Sequence, residues 1–229
     1  MNRTSALLAL AALVVSAPAM ANRPLNTDTA DTITDGRCQF EPYVASTRSR
    51  GVASLQSTLV QLNCGVTPNT QLGVAAFRSN SAGETTAGVL ASGKTNVVEL
   101  KDGQTGVALS YGLGALKNPG AAWVYDSASL NLIGTRELVP GLLGHANLGW
   151  THSRSAHQSS TTWAFAFEWA AAPKLDLSVE AYGDDRNRPW LSTGVHWVLG
   201  KQFSVNASFG VQSTNPHVRQ LTAGFNVEF

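Results

Sequence analysis

The sequence predicts an all-β protein, an antiparallel transmembrane β-barrel of about twelve strands. Residues 220–229 (QLTAGFNVEF) alternate polar and apolar side chains and end on Phe229, and the same alternation recurs upstream. Successive side chains of a strand point to opposite faces, so each such segment has one face for lipid and one for a lumen. Only 14% of the residues are charged, compared with about 25% in soluble domains.

The N-terminus has the features of a secretory signal peptide. Asn2 and Arg3 form a short region with a positive charge, residues 6–15 are apolar, and Ala19-Met20-Ala21 is a small-x-small cleavage site. We expect cleavage after residue 21 and export to the periplasm or outer membrane of a Gram-negative cell. No later stretch approaches the run of about 18 apolar residues that a transmembrane helix needs.

Residues 22–36 are polar and have no period. We interpret them as an N-terminal leader, which is either disordered or folded into the lumen or across the mouth as a plug. Residues 37–229 are predicted to form the barrel.

Turn-rich breaks divide residues 37–229 into twelve predicted strands. Longer and shorter breaks alternate, as expected for outer loops and periplasmic turns with both termini periplasmic. A long loop is predicted at 78–93. The strand after it is the weakest, and a ten-stranded barrel is the alternative. The predicted strands are 38–48, 53–65, 70–78, 94–100, 105–115, 121–135, 142–151, 160–170, 175–183, 189–199, 203–212 and 219–229.

The two cysteines fit one register of the first hairpin. A turn centred on Gly51 places Cys38 opposite Cys64, and a disulfide closing this loop would contribute roughly 3 kcal/mol in an oxidising compartment. Free thiols are the alternative. The sequence has no CxxC motif and no Cys/His cluster, so no metal site or catalytic cysteine is predicted.

The apolar faces carry many aromatic residues. Trp163, Phe165, Phe167 and Trp169 share one face of a predicted strand. In water such a face would need a second sheet, as in a soluble β-sandwich, whereas in a membrane it meets lipid. Other aromatics fall near predicted strand ends, which is typical of interfacial girdles.

The polar faces predict the lining of the lumen. Small residues such as Ser110, Gly112 and Gly149 on this face leave space inside the barrel. No motif couples the ionisable residues to a nucleophile, so neither an enzyme nor a cofactor is predicted. The candidate lumen-lining residues are His145, Glu168, Glu180, His196, Asn206, Asn226 and Glu228.

Basic residues gather at the predicted outer rim, where they can pair with lipopolysaccharide phosphates. Ordinary loop charge is the alternative interpretation. Cleavage after Ala21 removes Arg3 and leaves equal numbers of basic and acidic residues, which argues against nucleic acid as a partner. The candidate contacts are Arg48, Arg50, Arg154, Arg186, Arg188 and Arg219.

Several short segments resemble a known family. Arg23-Pro24-Leu25 with Thr27-Asp28 and Ala30 resembles the opening of the outer-membrane transporter family associated with the meta-pathway of phenol degradation, although Thr29 replaces the second of two acids. Segments 147–150, 179–183 and 221–229 are similar to later strands of that family. The resemblance implies uptake of small, often aromatic, molecules. The C-terminal Phe229 resembles the aromatic end that the barrel-assembly machinery recognises.

Together these features predict an outer-membrane channel or facilitator for small, possibly aromatic, molecules. The alternative is a plugged structural or interaction barrel without a transport role.

Overall fold

The computed structural model describes residues 25–101 and 104–229, and within them twelve strands close into one antiparallel barrel. Every strand pairs with its neighbours in sequence, and the first pairs with the last. The predicted signal peptide, residues 1–21, lies outside the described residues. The strands are β1 Cys38–Ser49, β2 Leu55–Thr67, β3 Thr70–Ser81, β4 Glu84–Val98, β5 Thr105–Lys117, β6 Val124–Val139, β7 Leu142–Ser153, β8 Gln158–Ala172, β9 Leu175–Asp184, β10 Trp190–Val198, β11 Phe203–Gln212 and β12 Val218–Glu228.

The prediction of twelve strands is confirmed, but the long loop predicted at 78–93 is wrong. β3 continues to Ser81, and Ala82 and Gly83 form a two-residue turn into β4. Both turn residues have positive φ, 52° and 85°, which is the geometry of a tight hairpin. The Ser, Ala and Gly residues of this hairpin lack the apolar alternation that marks the other strands. Gly88 leaves the space that the ring of Phe77 occupies on the neighbouring strand.

The two faces of the sheet are those of a membrane barrel. Outward-facing Val44, Leu113, Phe165 and Leu221 are 55–58% exposed, whereas buried polar side chains such as Gln61 lie inside. A soluble β-sandwich is therefore excluded, because one closed sheet leaves its apolar face uncovered. Within the described residues, no helix is long and apolar enough to cross a membrane.

The two ends of the barrel differ. We call the end where Cys38 and Phe229 meet the terminal end, and the opposite one, with the turn at Gly51, the distal end. The Cys38 amide donates to the Phe229 carbonyl at 2.8 Å. The predicted disulfide is confirmed at the terminal end, where Cys38 and Cys64 are direct cross-strand partners with Cα atoms 4.1 Å apart.

Residues 25–36 run from the terminal end, where residues 34–36 are exposed, into the barrel, and we call them the inner segment. Leu25, Thr27, Asp28 and Ala30 are at most 1% exposed. Ala30 packs in a small apolar cluster with Ala108 of β5 and Ile133 of β6. The lumen is thus occupied along part of its length by the chain's own N-terminal residues.

Candidate functional site

The inner segment enters the lumen at the terminal end. The Gly36 amide donates to the Gly65 carbonyl at 3.1 Å, and the Gly65 amide donates to the Arg37 carbonyl at 2.9 Å. The absence of a side chain at Gly65 is required here, because a Cβ atom would collide with the carbonyl oxygens of Ile33 and Thr34. β2 therefore allows the segment to pass directly against its backbone.

A buried ion pair holds the middle of the inner segment. Lys94 Nζ of β4 lies 3.0 Å from Asp28 Oδ1, and the two side chains are 3% and 0% exposed. The same ammonium donates to the Thr29 carbonyl at 2.9 Å. Burial raises the pKa of the Asp28 carboxyl, while the Lys94 charge acts in the opposite direction. The pair thus offsets part of the penalty for burying both charges.

Glu180 of β9 holds the other end of the segment. Its carboxylate accepts hydrogen bonds from the backbone amides of Asn26 and Thr27 at 2.8 and 2.9 Å. It also accepts from the Asn26 side-chain amide at 2.8 Å and the Thr27 hydroxyl at 3.0 Å. A single lumenal carboxylate therefore satisfies four donors of the segment.

Further bonds reach the segment from several sides of the barrel. The Ala30 amide donates to Thr135 Oγ1 of β6 at 2.9 Å, and the Ile33 amide donates to Gln71 Oε1 of β3 at 2.8 Å. Asn147 Nδ2 of β7 donates to the Asp28 carbonyl at 3.2 Å. The segment is therefore fixed to strands on different sides of the lumen.

The candidate lumen residues lie in different surroundings. Buried His145 lies 3.0 Å from Thr135 Oγ1 and 3.9 Å from the Glu168 carboxylate. His196 forms a 3.0 Å contact with Asp176. Glu180 contacts the inner segment, as described above. The remaining three are on β11 and β12, where Asn206 and Asn226 are buried and Glu228 is exposed at the terminal end.

The six candidate rim arginines are exposed at the distal end. They are Arg48, Arg50, Arg154, Arg186, Arg188 and Arg219. Arg48 and Arg219 are cross-strand partners on β1 and β12. Arg186 is already engaged, because its guanidinium donates to the Ser159 carbonyl at 2.7 and 3.0 Å and so joins the β9–β10 loop to the start of β8.

A cavity of about 250 Å³ lies inside the barrel on the distal side of the inner segment. Asn26 contributes to its lining, so the segment forms part of its inner boundary. Apolar side chains such as Leu59, Phe77 and Leu116 form much of its remaining wall, and hydroxyl, amide and aromatic side chains form the rest. The hydroxyl, amide and aromatic residues include Ser57, Ser79, Ser127, Ser129, Asn131, Thr151, Thr162, Tyr43, Tyr182, Trp190 and Gln220.

Sequence reasoning named Asp28 only as part of the motif that carries the family resemblance, and it did not single out Lys94 or the polar residues of β6–β8. A signal for the ion pair exists, since Lys94 starts a predicted strand on its lumenal side and Asp28 belongs to the polar leader. A lysine facing a closed lumen needs an anionic partner, and the leader can supply one. In the sequence, the wall residues are ordinary polar positions of strands. Only the closed barrel with its inner segment shows that they border a cavity.

Solved structures similar to this chain are outer-membrane barrels. The NanC porin superposes with a TM-score of 0.62 at 7% identity, covering 82% of this chain and 98% of that chain. The KdgM porin in complex with disordered oligogalacturonate gives 0.61 at 8% identity, covering 83% and 99%. The translocator domain of the autotransporter NalP from Neisseria meningitidis gives 0.57 at 12% identity, covering 99% and 97%.

At 7–12% sequence identity, the similarity to these structures shows the fold alone. No curated protein sequence matches the chain. One family model matches residues 9–229, which is nearly the whole sequence. The chain therefore belongs to the family described as Uncharacterised conserved protein UCP029691, and its fold is that of an outer-membrane porin barrel.

Proposed function

We propose that this protein is an outer-membrane channel or facilitator for small molecules, closed in the present conformation by its inner segment. The observation that carries the proposal is the cavity of about 250 Å³ inside the barrel, bounded on one side by a segment that is not a strand of the wall. A path through the lumen needs movement of residues 25–36 and no change in the barrel.

The contacts of the inner segment support such a movement. They are mainly hydrogen bonds and one ion pair, from Asn26 through Ile33. Each neutral hydrogen bond contributes a net of about 1 kcal/mol, and each one to the Glu180 carboxylate roughly 1.5–3 kcal/mol, because water replaces the lost partner when the segment leaves. The barrel strands instead form a closed ladder with every neighbour. Moving the inner segment therefore costs less free energy than separating any two strands of the barrel.

The width of the barrel is compatible with a narrow path. Twelve strands at about 4.8 Å spacing and about 40° tilt give a backbone radius of roughly 12 Å, between filled eight-stranded and open sixteen-stranded barrels. Side chains and the inner segment then decide what passes. Small solutes are the class that such a lumen admits.

Location and partners follow from the same proposal. We place the barrel in the outer membrane of a Gram-negative cell after cleavage of residues 1–21, with the six distal arginines against lipopolysaccharide. The protein should fractionate with outer membranes and migrate anomalously on unheated gels. Recovery in the soluble periplasm would overturn this placement. An aromatic permeant and a link to phenol degradation rest only on the sequence resemblance.

A plugged barrel without transport is the second candidate. The buried Lys94–Asp28 pair and the four hydrogen bonds to Glu180 favour it, because they fix the inner segment to two strands, β4 and β9. In that case the lumen stays closed under all conditions.

Planar-bilayer recordings separate the two candidates. Deleting residues 26–36 should raise single-channel conductance if the segment obstructs a path, and the full chain should show smaller or rarer openings. The heat-dependent gel shift of both proteins checks that each is a folded barrel. If both fold and neither conducts, the plugged barrel is the correct function.

A further inference from the structure

We propose that the distal cavity binds a neutral, polyhydroxylated ring of the size of a hexose or hexoside. The inference deepens the proposed function, because this ligand would be the permeant held outside the inner segment. It rests on the polar groups of the cavity wall, on an aromatic pair beside them and on the distribution of charge.

One side of the cavity carries polar side chains that are left without partners. They lie on three adjacent strands, are partly exposed, and form no side-chain hydrogen bond with another described residue. Each hydroxyl can donate and accept, and the amide offers both kinds of group, which is the pattern that the hydroxyls of a sugar require. The set is Ser127, Ser129 and Asn131 of β6, Thr151 of β7 and Thr162 of β8.

Glycines on the lumen face of neighbouring strands make room for these wall side chains. A Cβ atom at Gly112 of β5 would lie 2.9 Å from Ser129 Oγ, and one at Gly149 of β7 would lie 3.0 Å from Asn131 Oδ1. A Cβ at Gly114 would likewise crowd Ser127 Oγ. The serine and asparagine oxygens thus lie directly against glycine backbone, and a larger residue at any of these positions would push them aside.

An aromatic pair follows on the next two strands. Tyr182 of β9 and Trp190 of β10 are cross-strand partners whose rings stack with centroids 6.2 Å apart and an interplanar angle of 3°. Both rings line the cavity. A sugar ring has hydroxyls on its edge and C–H groups on its faces, so it can contact the polar wall and an aromatic surface at once.

The charge of the site selects against ionised ligands. Among the described residues that line the cavity, the charged side chains are Asp184 and Arg188, at its distal mouth. Lys94 is buried and already paired with Asp28. Apart from Arg188 at the mouth, the described lining offers no cation, so an acidic sugar bound deeper in the cavity would leave its carboxylate unpaired, which is unfavourable.

The size and polarity favour a single ring over other neutral ligands. The cavity of about 250 Å³ has room for one such ring. An aromatic hydrocarbon would displace water from the polar wall without replacing its hydrogen bonds, and so would bind less well.

The test is equilibrium binding to the full chain in a detergent without a sugar head group, followed by calorimetry or saturation-transfer NMR. Methyl glucoside is the probe, glucuronate is the charged match with the same ring, and phenol represents small aromatics. We expect methyl glucoside to bind and glucuronate and phenol to bind at least about tenfold more weakly. Equal or tighter binding of glucuronate or phenol, or no binding of methyl glucoside, would overturn the inference.

Adjacent threonines on one strand provide a matched pair of variants. Thr162→Val removes a cavity hydroxyl with little change in shape, whereas Thr161→Val makes the same change on the outward face. Thr162→Val should weaken glucoside binding about twofold to tenfold, the range for one neutral hydrogen bond, and Thr161→Val should not. Equal affinity in both variants would exclude the proposed wall, and a heat-dependent gel shift confirms folding.

Binding and conductance fail independently. A barrel that binds methyl glucoside but never conducts retains this inference and loses the channel function. A barrel that conducts after deletion of residues 26–36 but ignores methyl glucoside retains the channel function and loses the ligand.

Discussion

At the scale of single residues, Gly65 is the position where the barrel wall lets the backbone of the inner segment pack directly against it. Gly65→Ala should displace the carbonyls of Ile33 and Thr34 and loosen the segment, because the added Cβ atom meets both oxygens. We expect higher conductance and faster hydrogen exchange in residues 33–36. Gly200→Ala is the control, since nothing lies within 4 Å of a Cβ atom there. Identical behaviour of the two variants would contradict the close approach.

The Lys94–Asp28 pair gives a second residue-scale prediction. Lys94→Met leaves an unpaired buried carboxylate, which costs about 3–5 kcal/mol in other proteins. Lys94→Met should therefore lower the protection of the inner segment against hydrogen exchange. The double variant Asp28→Asn with Lys94→Met removes both charges and should restore much of that protection. Hydrogen exchange of residues 25–36 in the folded barrel measures this. Our interpretation of the pair fails if the double variant is less protected than Lys94→Met alone.

At the scale of elements, the disulfide is the part of the structure that the sequence specified most directly. One turn centre, Gly51, set the register that pairs Cys38 with Cys64. β4 was harder to predict from the sequence. Residues 79–93 are mostly Ser, Ala, Gly and Thr, and their inward and outward positions differ little in hydrophobicity. The turn at Ala82-Gly83 has a recognisable signal only in Gly83.

The disulfide should stabilise the first hairpin. Replacing both Cys38 and Cys64 with serine should lower the free energy of unfolding by up to about 3 kcal/mol, because a 26-residue separation restricts the unfolded chain. Reversible guanidinium unfolding from lipid vesicles measures the change. The wild-type protein under reducing conditions is the control and should match the double variant. A stable double variant would show that the barrel closure alone fixes this hairpin.

The last strand yields a prediction about assembly. We propose that the barrel-assembly machinery recognises Phe229, so Phe229→Ala should reduce the amount of assembled barrel in cells far more than Phe209→Ala. Both side chains face outward and are similarly exposed, at 56% and 44%, which makes them a fair comparison. Outer-membrane yield on unheated gels is the measurement. Equal losses would assign the effect to lipid contact instead.

At the scale of the whole molecule, the inner segment controls which charges the lumen presents. Glu180 is occupied by Asn26 and Thr27 in the closed chain, so Glu180→Gln should hardly change ion selectivity there. In the chain lacking residues 26–36 the carboxylate is free, and the same substitution should weaken cation preference. The reversal potential in a salt gradient measures this, and the effect should be largest at low salt. A similar shift in both chains would contradict the contact.

The barrel as a whole was predictable because the alternation of polar and apolar residues is repeated in most strands. The inner segment and the cavity inside the barrel were not predictable in this way. Alternation fixes which residues face inward, as for His145, Glu168 and Glu180. It carries no information on how a polar leader such as residues 25–36 lies within the lumen, since that depends on contacts with strands far apart in sequence, such as β4 and β9. The cavity exists only after those contacts form.

In the proposed channel, the covalent attachment of the inner segment to β1 makes closure an intramolecular reaction. Residues 25–36 span at most about 40 Å when extended, so a released segment stays beside the lumen at a millimolar effective concentration. Reclosing is then first order and independent of how many copies the membrane holds. Openings should be brief and self-terminating, and a synthetic copy of the segment added in solution should compete poorly with the tethered one.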